Sequence, residues 1–363
     1  MRTADFDYVL PHELIAQQPA PQRDQSRLLT LHRNSGKIEH RHFRDLPGYL
    51  RQGDVLVLNN SRVIPARLRG VNAKTRGRFE MLLLTENDRN DWWVMMKPGK
   101  RARVGTEIEV RSPKSEVRSS AGVTATVVET NHEGHRRLRF EGTNDIAAIL
   151  NDLGEVPLPP YITRENVVED KERYQTVFAD PAGSVAAPTA GLHFTEAVIQ
   201  EIRSLGVNVC FVTLHVGLAT FSPVKAEMVS HHKMHEERYE VSEATARIVD
   251  EAKASGRRIV AVGTTTVRVL ESACGARPVP GRAPQLQPGP GRTRIFVHPP
   301  FQFRIVDVLL TNFHLPRSTL LMLVSAFASP ENTSGRETIL SAYAEAIRQR
   351  YGFYSYGDAM LIL

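Results

Sequence analysis

Five short apolar runs along the chain each stop abruptly at a polar, glycine-containing or histidine-containing turn. They read DVLVL before NNSR, SVAAP before TAGLHF, CFVTL before HVGLATF, IVAV before GTTTVR, and VDVLL before TNFH. The last four lie between Ser184 and His314, separated by helix-like segments. Short apolar runs that alternate with helices predict buried parallel strands. Such sheets bind ligands beyond the carboxyl ends of their strands. Thr189, His193, His215, Thr264 to Thr266, Asn312 and His314 close these runs and are candidates for one shared site.

Helix signals fill the gaps. Thr195 is a suitable N-cap for EAVIQEIRSL, which Gly206 stops, and Ser242 caps EATARIVDEAKAS, which Gly256 closes. Residues 144–152 and 336–350 also read as helices, 320–328 as a buried helix opened by Pro316 and Ser318, and AMLIL as a last strand. The Pro/Gly-rich stretch 275–291 predicts a surface loop. Between about Ala66 and Phe140 the style changes. FEMLLLT, DWWVMMK, TEIEV, AGVTATVVE and RRLRF follow one another with turns and no helix, which predicts a small β-barrel. Trp92 and Trp93 are adjacent on one of its strands, so one faces the core and the other the outside. The expected fold class is α/β, with helices layered around a mainly parallel sheet and a small all-β module.

Composition changes this picture in two places. The chain has 363 residues, room for two domains or one with an insertion, and only two cysteines, Cys210 and Cys274. That excludes a disulfide framework or a cysteine-rich zinc site and suits a reducing, cytoplasmic setting. The first residues lack the apolar core of a signal peptide, and the longest apolar stretch is too short to span a bilayer. The net charge is +6, but residues 60–140 hold 17 Lys or Arg against 9 Asp or Glu and so carry +8 alone. Such asymmetry suits a polyanionic partner such as nucleic acid, and a solubilising basic surface accounts for it equally well.

Motifs narrow the chemistry further. Gly263 to Thr266 sit where a strand meets a helix, with Arg268 one turn on, an arrangement suited to a carboxylate or phosphate, although a simply well-capped helix accounts for the same residues. There is no P-loop, no dinucleotide-binding glycine motif and no nucleophile elbow. His231, His232, His235, Glu236 and Glu237 could share a helical face, but without a HExxH pattern a hydrogen-bonding histidine cluster is the expectation, and no metal is expected. Asp358, in YSYGD before the last strand, is a candidate base or cation partner, although Gly357 equally marks a plain turn.

Longer motifs carry a family resemblance. FDYVLPHELIAQQP, RDQSRLL, DVLVLNNSRVIPARLRG, MKPGKR, LPPYI, RYQTVFA, VAAPTAGLHFT, TLHVG, KMHEERY, VGTTTVRVLES, LLTNFHLPRSTLLMLVSAF and FYSYGDAMLI follow in order from Phe6 to Leu363. In these the chain resembles the QueA family of S-adenosylmethionine:tRNA ribosyltransferase-isomerases. The resemblance implies a large α/β catalytic domain, residues 1–65 and 156–363, carrying a β-barrel insertion at 66–155. It implies transfer and isomerisation of the ribosyl part of S-adenosylmethionine onto an aminomethyl-deazaguanine at the wobble position of tRNA. Epoxyqueuosine-tRNA, adenine and methionine are the implied products. S-adenosylmethionine is then a consumed substrate rather than a cofactor, tRNA the partner, and a monomer the expected state.

The resemblance also sets roles for residues. His193, His215 and His314 become candidates for proton transfer and Asp358 for the amine or sulfonium. Thr264, Thr265, Thr266 and Arg268 become candidates for the methionyl carboxylate. Asn59, Asn60 and Asn312 could read a base edge, and Arg62, Thr189, Gly191 and Tyr356 complete the expected substrate contacts. Arg76, Arg78 and Lys100, with Trp92 or Trp93 as a stacking platform, are the expected RNA contacts. The chain departs from the family pattern at Ala219 and Pro300, each in place of glycine, and at Gly352, in place of arginine. A non-catalytic tRNA-binding module and a small-molecule α/β lyase are the rival readings, separated from the first by adenine release and by dependence on tRNA.

Overall fold

The computed structural model describes residues 1–112, 122–217, 224–275 and 284–363. Its strands are β1 Arg27–Leu31, β2 Ile38–His42, β3 Val55–Asn59, β4 Arg62–Val63, β5 Arg67–Asn72, β6 Arg78–Asp88, β7 Asp91–Lys97, β8 Glu107–Arg111, β9 Thr124–Thr130 and β10 Arg136–Glu141. They continue as β11 Ala182–Ser184, β12 Asn208–Leu214, β13 Glu237–Val241, β14 Ile259–Val262, β15 Gly289–Thr293, β16 Val308–Asn312 and β17 Ala359–Ile362. The helices are α1 Ile146–Leu153, α2 Asp170–Arg173, α3 Glu196–Ser204, α4 Glu243–Ala254, α5 Thr264–Ala273, α6 Thr319–Ala328 and α7 Gly335–Arg348.

Nine strands form one sheet in the order β15-β13-β12-β3-β14-β16-β17-β1-β2. The runs CFVTL, DVLVL, IVAV and VDVLL supply its centre, β12, β3, β14 and β16, all mutually parallel. Outside this core the sheet is mixed. β17 pairs antiparallel with β16 and parallel with β1, while β13, β15 and β2 attach antiparallel. The fifth run, SVAAP, is not a strand of this sheet. Only Ala182–Ser184 pairs, with β4, in a separate two-stranded sheet. From Val185 on, the segment crosses the end of β12, where Val185 and Ala186 both donate to the Val216 carbonyl.

Burial on both faces explains why the central runs are continuous rather than alternating. Val55, Val57, Ile259, Ala261 and Leu309 enter one core, shared with α4, α5, α6 and α7. Leu56, Leu58, Val260, Val262 and Leu310 enter the opposite core, shared with α3 and with Phe43 and Leu46 of a 3-10 segment. Side-chain caps start the helices where the sequence places them. Thr195, Ser242 and Ser318 accept from the amides of Val198, Thr245 and Leu321. Each such cap contributes about 1 kcal/mol.

Six antiparallel strands close into a barrel in the order β10-β7-β6-β5-β8-β9, with β9 pairing β10. Its core holds Leu68, Met81, Val94, Ile108 and Leu138, and α1 adds Ile146, Leu150 and Leu153. Trp92 is a core residue, 7% exposed, whereas Trp93 is half-buried. The chain enters this unit past Pro65 and returns at Gly154, where the backbones of Arg67 and Glu155 bond each other in both directions.

The Pro/Gly-rich stretch differs from the expected loop. Gly289–Thr293 forms β15, an edge strand on β13, where Pro290 is tolerated because an edge needs fewer donors. A side chain at Gly291 would collide with Tyr239, its Cβ lying 2.3 Å from the ring. Residues 276–283 of that stretch and the Ala219 departure lie outside the described residues.

One crossing point gives a test with a definite sign. A Cβ at Gly154 would lie 1.9 Å from the Pro65 carbonyl oxygen. Gly154→Ala is therefore expected to destabilise by about 2 kcal/mol or more through overpacking, against the modest gain that reduced backbone freedom would give elsewhere. Urea unfolding measures this, and an unchanged or higher midpoint would show that the two crossings are not tightly packed.

Candidate active site

Two polar groupings form at the carboxyl edge of the parallel core. The first centres on His193, at the end of the 3-10 turn Thr189–His193. Thr189 Oγ1 donates to Asn312 Oδ1 at 2.9 Å, and Asn312 Nδ2 donates to His193 Nε2 at 3.1 Å. That leaves Nδ1 to carry the proton and donate to Ser26 Oγ at 2.7 Å, which in turn donates to the Arg23 carbonyl at 3.2 Å. Phe43 stacks on the imidazole with ring centres 5.1 Å apart. Burial, aided by the positive charge of Arg23, pushes the His193 pKa down to about 3. His193 is thus a neutral link in a four-residue hydrogen-bonded chain that fixes the Asn312 amide.

The second grouping lies across β12, β13 and the start of α5. β14 ends at Val262, Gly263 turns the chain with φ 86°, and α5 begins at Thr264. That positive φ favours glycine and aims the helix N-terminus at the strand ends. Thr266 Oγ1 is used internally, bonding the Val262 carbonyl at 2.7 Å. Thr265 Oγ1 is buried with no hydrogen-bond partner among the described residues. Arg268, only 4% exposed, donates from one terminal nitrogen to Glu237, while its Nε and Nη2 are buried without partners among the described residues. The amide of Gly217 donates to the other Glu237 oxygen at 3.2 Å. His215, directly after β12, packs its ring against Gly183, where a Cβ would meet Nδ1 at 2.7 Å. Its Nδ1 is likewise buried and partnerless among the described residues. Burial and then Arg238 lower its pKa, opposed by Glu240, so the ring is neutral near pH 7.

Buried polar atoms without partners cost about 1–3 kcal/mol each, and more when charged. Four such atoms, two of them on one guanidinium, belong to residues of this grouping and have bonding capacity to spare. The grouping also contains Glu237, which its sequence neighbours place with the histidine cluster. His231 lies in a separate 3-10 turn and Glu237 opens β13, so they do not share a helical face. Nothing local in the sequence pairs Glu237 with Arg268. Only the antiparallel return of β13 beside β12 does so.

Several expected residues lie elsewhere or are already bonded. His314 Nε2 bonds the Thr311 hydroxyl at 2.8 Å, its backbone amide donates to the Tyr343 hydroxyl, and its carbonyl accepts from the Tyr8 hydroxyl, so the residue is held between two tyrosines. Burial pushes its pKa down to about 3. Asp358 accepts backbone amides of Arg27 and Gly352, each at 2.7 Å, and clamps β1 to the chain before β17. Burial raises its pKa against those bonds. Asn59 is likewise a backbone clamp, bonding both the amide and carbonyl of Leu214 and the amide of Ser61. Asn60 Oδ1 accepts from Thr213. Arg62 donates to the Ala179 carbonyl. Gly191 is where a side chain would strike Thr176 and Phe178, which makes it a packing glycine. The Tyr356 hydroxyl donates to Asp170 at 3.0 Å beneath Tyr174.

On the barrel, Trp92 cannot offer a ring face because it is core. Arg76 is ion-paired with Glu109 at 2.6 Å, whereas Arg78 and Lys100 are exposed. Among the described residues no group of three or more His, Cys, Asp or Glu is placed to hold a metal ion, and no helix is long and apolar enough to cross a membrane.

A parallel-centred α/β sheet with unsatisfied buried polar atoms at its strand ends, joined to a basic barrel, defines the class: an α/β enzyme scaffold with an appended β module. The comparisons with known proteins agree over the whole chain. A family model described as "Queuosine biosynthesis protein" matches residues 3–362. The chain is 47% identical over 363 residues to the S-adenosylmethionine:tRNA ribosyltransferase-isomerase of Staphylococcus haemolyticus, covering all of both chains. It is 50% identical, with the same full coverage, to the protein of that name from Carboxydothermus hydrogenoformans. Among solved structures it is similar to the S-adenosylmethionine tRNA ribosyltransferase of Thermotoga maritima, with 37% identity and a TM-score of 0.54, covering 99% of this chain and 100% of that one. The chain belongs to the queuosine biosynthesis protein family.

The buried histidines give a pH test. Both His193 and His314 have folded pKa values of about 3, below the ordinary 6.5. The unfolded chain therefore binds more protons between these values. Stability is fully present above pH 6.5 and is lost as pH falls toward 3, by up to about 1.4 kcal/mol per pH unit for each histidine. Unfolding free energies of wild type and His314→Gln at pH 6.5 and 5 should differ in slope by roughly one proton. Equal slopes would show that His314 is not held neutral by the fold.

Proposed function

We propose that the chain transfers and isomerises the ribosyl moiety of S-adenosylmethionine onto 7-aminomethyl-7-deazaguanine at the wobble position of tRNA, as a step of queuosine biosynthesis. The full-length similarity to proteins bearing the S-adenosylmethionine:tRNA ribosyltransferase-isomerase name carries this reading. The products are epoxyqueuosine-tRNA, adenine and methionine. S-adenosylmethionine is consumed as substrate, tRNA is the macromolecular partner, and the cytoplasm is the compartment that suits both.

The chemistry assigns work to the two groupings. A base must take a proton from the carbon beside the sulfonium, whose positive charge stabilises the electron pair left behind. Adenine then leaves with a proton, the neutral amine of the modified base attacks, and the epoxide forms as methionine departs. His215 suits proton transfer, being neutral near pH 7 with a free ring nitrogen at a strand end. His193 suits positioning, since its neutral Nε2 holds the Asn312 amide and through it Thr189. Arg268, Thr265 and the N-terminus of α5 suit the methionyl carboxylate. Arg78, Lys100 and Trp93 on the barrel suit the RNA backbone and an unstacked base.

Incubation with S-adenosylmethionine and tRNA carrying the aminomethyl base should release adenine and give a nucleoside of the epoxyqueuosine mass. No adenine release, with tRNA still bound, would instead indicate a binding module, and equal turnover of the free base a small-molecule enzyme. His215→Ala is expected to lower kcat by about 100-fold or more, and the acid limb of the wild-type pH profile should lie below 6.5, because protonation removes the base. A near-normal His215→Ala rate would remove His215 from proton transfer. Arg78→Glu with Lys100→Glu should weaken tRNA binding and reduce its log–log salt slope by roughly 0.7–0.9 for each phosphate no longer neutralised. Unchanged binding across salt would place the RNA on another surface.

A further inference from the structure

Glu237 and Arg268 make a buried pair whose remaining bonding capacity faces in two directions of charge. The register of β12 with β13, Leu214 opposite Tyr239, sets Glu237 level with Val216, two residues past the end of β12. One Glu237 oxygen takes Arg268 and the other takes the Gly217 amide at 3.2 Å. A carboxylate offers about four acceptor positions, so two remain. On the other half, Arg268 Nε and Nη2 and the Thr265 hydroxyl have no partner among the described residues, with Arg268 4% and Thr265 7% exposed.

The charges decide which ligand suits this arrangement. A lone anion would gain Arg268 and the α5 N-terminus but would be repelled by Glu237. A lone cation would gain Glu237 and be repelled by Arg268. A dipolar group carrying one charge of each sign satisfies both halves and adds no net charge to the buried site. An α-amino acid terminus, an ammonium and a carboxylate on one carbon, is such a group.

We propose that Glu237 and Arg268 form a two-charge clamp for the zwitterionic α-amino acid end of S-adenosylmethionine. Arg268 and Thr265 hold the carboxylate, and Glu237 holds the ammonium. The clamp rests on the reading of the chain as an S-adenosylmethionine-consuming enzyme and adds Glu237 as a residue that determines specificity. It anchors the half of the substrate that departs as methionine, leaving the ribose and adenine free for the reacting groups.

Equilibrium binding of three adenosyl sulfonium compounds tests this. They are S-adenosylmethionine, its decarboxylated form, which keeps the amine, and 5′-dimethylsulfonioadenosine, which lacks both groups. Wild type should bind them in that order of affinity. E237Q keeps the shape of the side chain and loses the charge. It should weaken the first two by on the order of 10- to 100-fold and leave the third unchanged. Thr265→Val, which removes only the hydroxyl, should weaken S-adenosylmethionine alone, and R268K should do the same more strongly. Thermal melting confirms that each variant is folded. Equal weakening of all three compounds by E237Q, or no effect on any, would overturn the clamp, as would wild-type binding that ignores the amino acid end. If E237Q does not fold, the Thr265→Val pattern decides. Wild type that binds none of the compounds and releases no adenine with the tRNA substrate would overturn the ribosyl-transfer reading and the clamp together. Adenine release with no discrimination among the compounds would overturn the clamp alone.

Discussion

Burial of the central sheet on both faces is the constraint on which the rest depends. Val55 to Leu58, Ile259 to Val262 and Val308 to Leu310 alternate between two separate hydrophobic cores, so no side chain of these strands meets water on either face. A polar side chain in mid-strand would be desolvated without recompense. Polar residues are therefore driven to the strand ends, where backbone turns and helix starts supply partners. Asn59 and Asn312 mark this boundary. Each is the last residue of its strand, and each is engaged in bonds that hold neighbouring ends in place.

The same desolvation sorts three histidines that look alike in sequence. All follow apolar runs, and burial lowers the pKa of each. What differs is the bonding of their ring nitrogens. His193 is bonded at both nitrogens, whereas His314 is bonded through Nε2 to Thr311. His215 stays neutral while keeping an unbonded nitrogen. Burial sets the direction of the pKa shift in all three, and the ring bonds set how firmly each imidazole is held.

Much of this is legible in the sequence because it depends on local pattern. Four of the five apolar runs are the parallel centre of the sheet, the helix caps fall at Thr195, Ser242 and Ser318, and the helix-free stretch forms the barrel. What is not legible depends on residues distant in sequence. SVAAP has the composition of a strand, but its backbone pairs with β4 and then crosses the end of β12, and no property of those five residues encodes that. Glu237 sits beside a histidine cluster in the chain, and only the return of β13 beside β12 brings it to Arg268. Asp358 and Tyr356 have residue types that suggest chemistry. Their bonds to Arg27, Gly352 and Asp170 arise only when β1, β17 and the segment around α2 come together.

The two halves of the molecule work in different electrostatic regimes. Arg78 and Lys100 on the barrel are exposed, so their attraction for a polyanion is long-ranged and screened by salt over roughly 10 Å at 0.1 M. Arg268 and Glu237 lie within the protein, where ions screen weakly and geometry rather than net charge selects the ligand. A small dipolar substrate and a large polyanion can therefore be recognised by one chain without competing for the same charges. On the proposed reading, the basic excess lies where it would gather RNA from a distance. On the same reading, the balanced pair lies where a net positive charge would repel a sulfonium, so the charge asymmetry along the sequence and the balanced pair at the sheet edge would answer one requirement.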